Sequence, residues 1–304
     1  MSKYSRHILI LFFLLAVSPV KSEVLTVTLL GTGTPIPSIQ RFGPSILVEA
    51  GKRKILFDAG RGTTQRLSQL GINIGTIEHL FITHLHSDHI SGIPDLYTTG
   101  LIWQRESPLR VWGPEGTEEM LFHVKEMFSF DKKVRNQLSK SMKPQAEFIY
   151  TAIVPGVVYK DNDFSITAFT VNHGAVSPAY GYRINYGKYS ALISGDTTYS
   201  QNLIKHGKGV DLVIHEVMAA SKPLINSNRR LNKMMDYHTS PEEAASVFNK
   251  IKPRLAVYSH LLLFGVTEKA ILDKTFSLYK GKVVIGKDLD TFDIGTAINV
   301  YNRQ

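Results

Sequence analysis

Cysteine is absent from the 304 residues, which excludes disulfides, thiolate metal ligands and a thiol nucleophile. A chain without cysteine also avoids mispairing in an oxidising compartment. Long apolar runs are lacking too: the run from Ile8 to Val17 is about half of the ~20 residues that a membrane span needs. Repeats, low-complexity tracts and Pro/Gly/Ser-rich linkers are not found, so a single domain is expected over residues 23–304.

What is present begins with a change of composition. Basic MSKYSRH, the apolar run, then SPVKS with small side chains at Val20 and Ser22 follow the order of a secretory signal, expected to span residues 1–22 and be cleaved before Glu23. The competing reading is an uncleaved N-terminal anchor. Export to the periplasm or medium is expected, with no stable membrane insertion after cleavage. Removing Lys3, Arg6 and Lys21 lowers the formal charge from +9 to +6, a modest excess that favours anionic ligands. The 43% hydrophobic and 20% charged composition is that of a globular protein rather than a disordered one.

Along the chain, VLTVTLLGTGTPIP predicts a strand entering a loop, PSILVEAGKRKILFDAG a hairpin, and GTTQRLSQLGI a helix. TIEHLFIT returns to a strand. SGIPDLYTTGLIWQ and TEEMLFHVKEMF are expected helices, with LRVWG a strand between them. The basic tract DKKVRNQLSKSMKPQ is expected as an exposed helical or loop insertion. DFSITAFTVNH, YSALISGDT and GVDLVIHE then predict strands. Helix SPEEAASVFNKI, strand RLAVYSH, helix TEKAILDKTFSLY and strand KVVIG close the pattern. Hairpins followed by alternating strands and helices predict an α/β protein with mixed sheets covered on their outer faces.

The segment THLHSDH, residues 83–89, follows an expected strand and carries four metal-capable side chains. In an extended segment residues i and i+2 face the same way, so His84 and His86 can chelate one ion. Asp88 and His89, where the chain turns toward a helix, would serve a second. Imidazole and carboxylate donors without thiolate suit zinc, with manganese or iron as alternatives. Three further candidates stand at the ends of expected strands, where open α/β sheets place functional side chains: His173, Asp196 and His260.

HxHxDH at His84, His86, Asp88 and His89, followed by His173, SGD at Asp196 and SH at His260, resembles the metallo-β-lactamase fold superfamily throughout the mature chain. LLGTGTPIP and ILFDAGRGTTQRL look most like its ribonuclease Z and secreted arylsulfatase branch. The resemblance implies a four-layer αββα sandwich of two mixed sheets with two divalent ions along one edge. It assigns His84, His86 and His173 to one ion, Asp88, His89 and His260 to the other, and Asp196 to both, with Asp58 of FDAG a structural neighbour. True β-lactamases of the superfamily generally lack the bridging aspartate, so ISGDTT argues against β-lactams as the main substrate.

Two divalent ions outweigh the carboxylates and a bridging hydroxide, so a small anionic ester is the expected substrate. The resemblance implies attack by that hydroxide on phosphorus or sulfur, with Asp88 and Asp196 holding the ions. His215, Glu216 and His238 match the proton-relay positions of the ribonuclease Z branch, His238 as general acid oriented by Glu216. The match departs from the family pattern at Val217 and Met218 and in the order HTS.

Processing of tRNA is not expected: export separates the chain from tRNA, and the 22 residues between His173 and Asp196 leave no room for the gripping arm that ribonuclease Z carries there. A carboxylic ester, lactone or β-lactam hydrolase on the same site, and a non-catalytic metal-dependent anion binder, are the other readings. A dimer is the expected oligomer. GTGTP lacks the order of a phosphate-binding loop and is expected as a tight turn beside the metal edge. SNRRLNK, just before His238, could reach over the site as a lid.

Overall fold

The computed structural model describes residues 24–138 and 147–304. The expected signal segment lies outside these residues, as does the C-terminal half of the basic tract. Alternating apolar residues build two sheets. The first holds β1 (Leu25–Gly31), β2 (Ser45–Ala50), β3 (Arg53–Phe57), β4 (His79–Phe81), β5 (Leu109–Gly113) and β6 (Phe148–Ala152). The second holds β7 (Gly156–Asp161), β8 (Phe164–His173), β9 (Val176–Tyr186), β10 (Tyr189–Ile193), β11 (Leu212–Ala220), β12 (Leu255–Phe264) and β13 (Val283–Ile285). The chain then returns to the first sheet with β14 (Asp290–Ile294) and β15 (Ile298–Asn302).

The spatial orders are β15-β14-β1-β2-β3-β4-β5-β6 and β13-β12-β11-β10-β9-β8-β7. Each sheet is mixed: β3 to β6 and β10 to β13 run parallel, and the other neighbours are antiparallel. Alternate residues face opposite sides. Leu25, Val27 and Leu29 of β1 meet Ile214 of β11 and Val257 of β12 in the core between the sheets. Leu47 and Leu56 point the other way, onto helices. The parallel strands β10 to β12 are buried almost throughout, as strands covered on both faces must be.

The helices are α1 (Thr63–Gln69), α2 (Ser87–Ile90), α3 (Ile93–Ile102), α4 (Thr117–Met127), α5 (Ser129–Leu138), α6 (Gln201–Gly207), α7 (Lys222–Ser227), α8 (Arg229–Met234), α9 (Pro241–Ile251) and α10 (Glu268–Leu278). Leu67 of α1, Leu96 of α3 and Leu121 of α4 cover the first sheet. Leu203 of α6, Phe248 of α9 and Ile271 of α10 cover the second. The layers are therefore α, β, β, α, as the resemblance implied. Helix α9 starts where Ser240 and Glu243 form a reciprocal capping box with Pro241 at its first position. Among the described residues no helix is long and apolar enough to cross a membrane.

Five strands were not foreseen: β6, β7, β9, β14 and β15. One irregularity bears on the site. His215 pairs with Tyr258 and Val217 with Leu261, so Ser259 and His260 of β12 together oppose Glu216 of β11. This is a β-bulge, the device that re-aims side chains beside functional sites, and His260 takes the left-handed conformation there, with φ 48°.

Candidate metal centre

All seven candidate ligands lie on one edge of the sandwich, at or just beyond the C-terminal ends of β4, β8 and β10 and at the bulge of β12. His84 and His86 leave β4 on extended backbone, and the single turn of α2 then rotates Asp88 and His89 away. Gly60 of FDAG lets the neighbouring loop reach this turn, because a Cβ there would overlap the carbonyl oxygen of Asp88.

One set comprises His84, His86, His173 and Asp196. His86 Nδ1 lies 3.0 Å from His84 Nε2 and 3.1 Å from His173 Nε2. Asp196 Oδ2 is 3.8 Å and 3.7 Å from the same two Nε2 atoms. The second set comprises Asp88, His89 and His260. His89 Nε2 and His260 Nε2 are each 3.8 Å from Asp88 Oδ2. Asp196 reaches this set as well, at 3.5 Å from His89 Nε2 and 3.2 Å from His260 Nε2.

The four buried histidines each have Nδ1 engaged, which leaves Nε2 for the centre. Thr83 Oγ1 faces His84 Nδ1 at 3.0 Å and donates to Asp58 Oδ2 at 2.8 Å. Asp58 Oδ2 faces His89 Nδ1 at 2.7 Å, and the carbonyls of Tyr237 and Gly33 face His173 and His260 at 2.9 and 2.6 Å. Such outer contacts fix the tautomer and ring orientation of metal-binding imidazoles.

The charge balance also fits a cation. Burial, reinforced by the neighbouring histidines, holds His84 well below the ordinary imidazole range, and His86 and His173 are lowered by burial as well. These three are neutral, the form that binds metal. Burial acts in the same direction on His89 and His260, but the Asp196 carboxylate outweighs it and raises both, with Asp58 adding to the effect on His89. Asp196 itself, despite burial, is held well below the usual carboxylate range by His260 and His89. This half of the pocket therefore demands positive charge. Asp88 Oδ2 and His89 Nε2 are buried without a hydrogen-bond partner, and buried polar atoms of that kind call for an ion or water.

Beside the two sets, His238 Nδ1 lies 3.3 Å from Glu216 Oε1. The same oxygen accepts from the backbone N–H groups of Thr197 and Thr239, at 3.2 and 3.0 Å. The His238 ring stands 5.0 Å from that of His173 and 6.3 Å from that of His260. His215 does not join them. Neighbouring strand residues point to opposite faces, so Glu216 faces the site while His215 packs against Phe248 of α9 and bonds the Glu216 carbonyl.

The sequence profile of the β-lactamase superfamily domain matches residues 53–261. The ribonuclease Z of Mycobacterium bovis (strain BCG / Pasteur 1173P2) is 31% identical over 282 residues, covering 89% of this chain and 99% of that protein. The chain belongs to the metallo-β-lactamase superfamily, in its ribonuclease Z-like branch. Two solved structures share the fold. The metallo-β-lactamase fold protein YhfI of Bacillus subtilis has a TM-score of 0.71 at 17% identity, covering 89% of this chain and 100% of that one. Human tRNase Z, short form, has a TM-score of 0.65 at 21% identity, covering 88% and 98%.

Within this ribonuclease Z-like hydrolase, the interval from His173 to Asp196 is two tight hairpins, β8–β9 and β9–β10, with no inserted arm. The Mycobacterium bovis relative nevertheless aligns over 99% of its own length. The shortness of this interval therefore does not by itself set the chain apart from proteins named ribonuclease Z.

Sequence reasoning missed several parts of this metallo-β-lactamase-fold site: Thr83, the backbone of Thr197 and Thr239, and the carbonyls of Gly33 and Tyr237. Thr83 had a usable signal, since it directly precedes the ligand motif. The basic stretch before His238 forms α8, whose Leu231 packs with Met218 and Leu262. Val217 and Met218, the departures from the family pattern, are both fully buried; Met218 holds this strap in place.

Proposed function

We propose that the chain is a phosphodiester hydrolase that uses two divalent ions, zinc first, and acts on a small anionic ester outside the cytoplasm after loss of residues 1–22. The observation that carries this reading is Asp196, whose carboxylate lies within 3.8 Å of Nε2 atoms in both ligand sets. His84, His86 and His173 would hold one ion, Asp88, His89 and His260 the other. When bound, such ions supply Lewis acidity, bringing the pKa of water toward ~7 and attracting an anionic oxygen.

The protein's own groups do the rest. Thr83, Asp58, Gly33 and Tyr237 keep the imidazoles in one tautomer. Burial alone would depress His238, but the charge of Glu216 and its hydrogen bond lift it to about 9, so it carries a proton at neutral pH. With Nδ1 turned to Glu216, its Nε2–H is the proton available to a departing alkoxide. Two backbone N–H groups on Glu216 Oε1 hold that carboxylate still.

A substrate panel tests the reaction. The zinc-loaded protein should turn over bis(4-nitrophenyl) phosphate faster than an aryl sulfate, a lactone or a β-lactam. Chelation should abolish this activity and two equivalents of zinc restore it. Preference for the sulfate or the lactone would replace the phosphodiester reading, and efficient 3′ trimming of precursor tRNA would replace the small substrate. Two bound metals without turnover on any ester would favour the anion binder.

Export has its own test. Mass spectrometry of protein recovered from the periplasm or medium should find Glu23 as the first residue. Full-length chain confined to the cytoplasm would refute it.

A further inference from the structure

We infer that Asp288 is a positioning residue for His260, acting through the GTGTP loop; this rests on the reading of His260 as a metal ligand. Asp288 lies just before β14 and is 2% exposed. Its Oδ1 accepts from Thr32 N at 2.9 Å and Thr32 Oγ1 at 2.8 Å. Its Oδ2 accepts from Phe42 N at 2.8 Å and pairs with Arg66 Nη2 at 3.0 Å. One carboxylate therefore ties both ends of the loop spanning residues 32–42.

Inside that loop Gly33 N donates to Phe42 O at 2.7 Å, closing it into a ring. A side chain at Gly33 would collide with the carbonyls of Arg41 and Phe42, so the tight closure needs glycine. The Gly33 carbonyl then has a fixed direction, and His260 Nδ1 donates to it at 2.6 Å. Leu261 N also donates to Thr32 O, at 3.3 Å. Arg41 braces the outside, bonding Thr32 Oγ1 and the Gly286 carbonyl and pairing with Glu268.

His260 needs such external support. Its left-handed backbone is sparsely populated for a residue with a Cβ and persists only where the surroundings over-determine it. The loop supplies that constraint, and Asp288 holds the loop. The motif expected as a tight turn beside the metal edge is thus the rest against which a ligand is aimed.

Cobalt(II) added to the metal-free protein is the probe, followed by competition titration and by its visible absorption. Asp288→Asn and Thr32→Val should weaken the second equivalent about 10- to 100-fold and shift its band, leaving the first equivalent unchanged. Thr26→Val is the control: it removes a Thr–Asp bond of the same kind between β1 and β14, Thr26 Oγ1 to Asp293 Oδ1 at 2.6 Å, away from the loop, and should leave both equivalents intact.

Thermal unfolding of each metal-free variant shows whether it is folded, and Thr32→Val carries the test if Asp288→Asn is not. An unchanged second equivalent in folded Thr32→Val, or an equal loss in Thr26→Val, would overturn the inference. Wild type that binds one equivalent, indifferent to His260→Ala, would overturn the metal reading of His260 and this inference with it.

Discussion

Asp196→Asn should lose phosphodiester turnover by roughly two to four orders of magnitude, and should retain fewer than two zinc ions after dialysis. Asp196 is buried and faces four imidazole Nε2 atoms at 3.2 to 3.8 Å. Removing one partner from a buried charged arrangement costs about 3–5 kcal/mol because the others stay uncompensated, and each 1.4 kcal/mol is tenfold in a binding constant. Asparagine keeps the size and one acceptor oxygen but not the charge that His89 and His260 answer to. Metal analysis and turnover should therefore fall together. A variant that keeps two zinc ions and near-normal activity would show that Asp196 joins the sets in space but not in chemistry.

His238→Ala should slow an alkyl phosphodiester by about 10²- to 10⁴-fold, the usual range for a general acid, and barely affect bis(4-nitrophenyl) phosphate. A nitrophenolate leaves without a proton, whereas an alkoxide does not. Glu216→Gln should give a smaller loss on the same alkyl substrate. It keeps the acceptor for Thr197 N and Thr239 N but removes the charge that keeps His238 protonated. Equal losses on both substrates in His238→Ala would assign His238 to substrate binding or to support of His173 rather than to proton transfer.

The candidate ligands were legible because metal-capable side chains follow apolar strand runs that end in a break, as at His84, His86, His173 and Asp196. His260 was found the same way, although β12 continues past it through a bulge. The supporting contacts were hidden for a physical reason. Gly33 and Tyr237 act through carbonyl oxygens, which every residue possesses, so only the fold reveals which ones matter. His215 and Glu216 are neighbours in sequence, and only the phase of β11 separates a site residue from one packed on Phe248.

Among the strands, β9 was masked by Pro178 and Gly181, residues that weaken a strand by composition. β14 and β15 were masked by the polar positions Asp290, Asp293, Asn299 and Asn302. β14 is placed by pairing with β1, which brings Phe292 and Ile294 into the core, and β15 by pairing with β14.

The bulge on β12 has a consequence for the outer core. On β11 the helix-facing residues keep strict parity: Val213, His215, Val217, Ala219. On β12, Ala256 and Tyr258 share that face, and Leu261 rejoins it one residue late. The extra residue resets odd and even, so Leu261 packs under the helices in step with Val217 although His260 has been inserted at the metal edge. The strand gains a metal-capable side chain there without turning its remaining apolar residues to the wrong side.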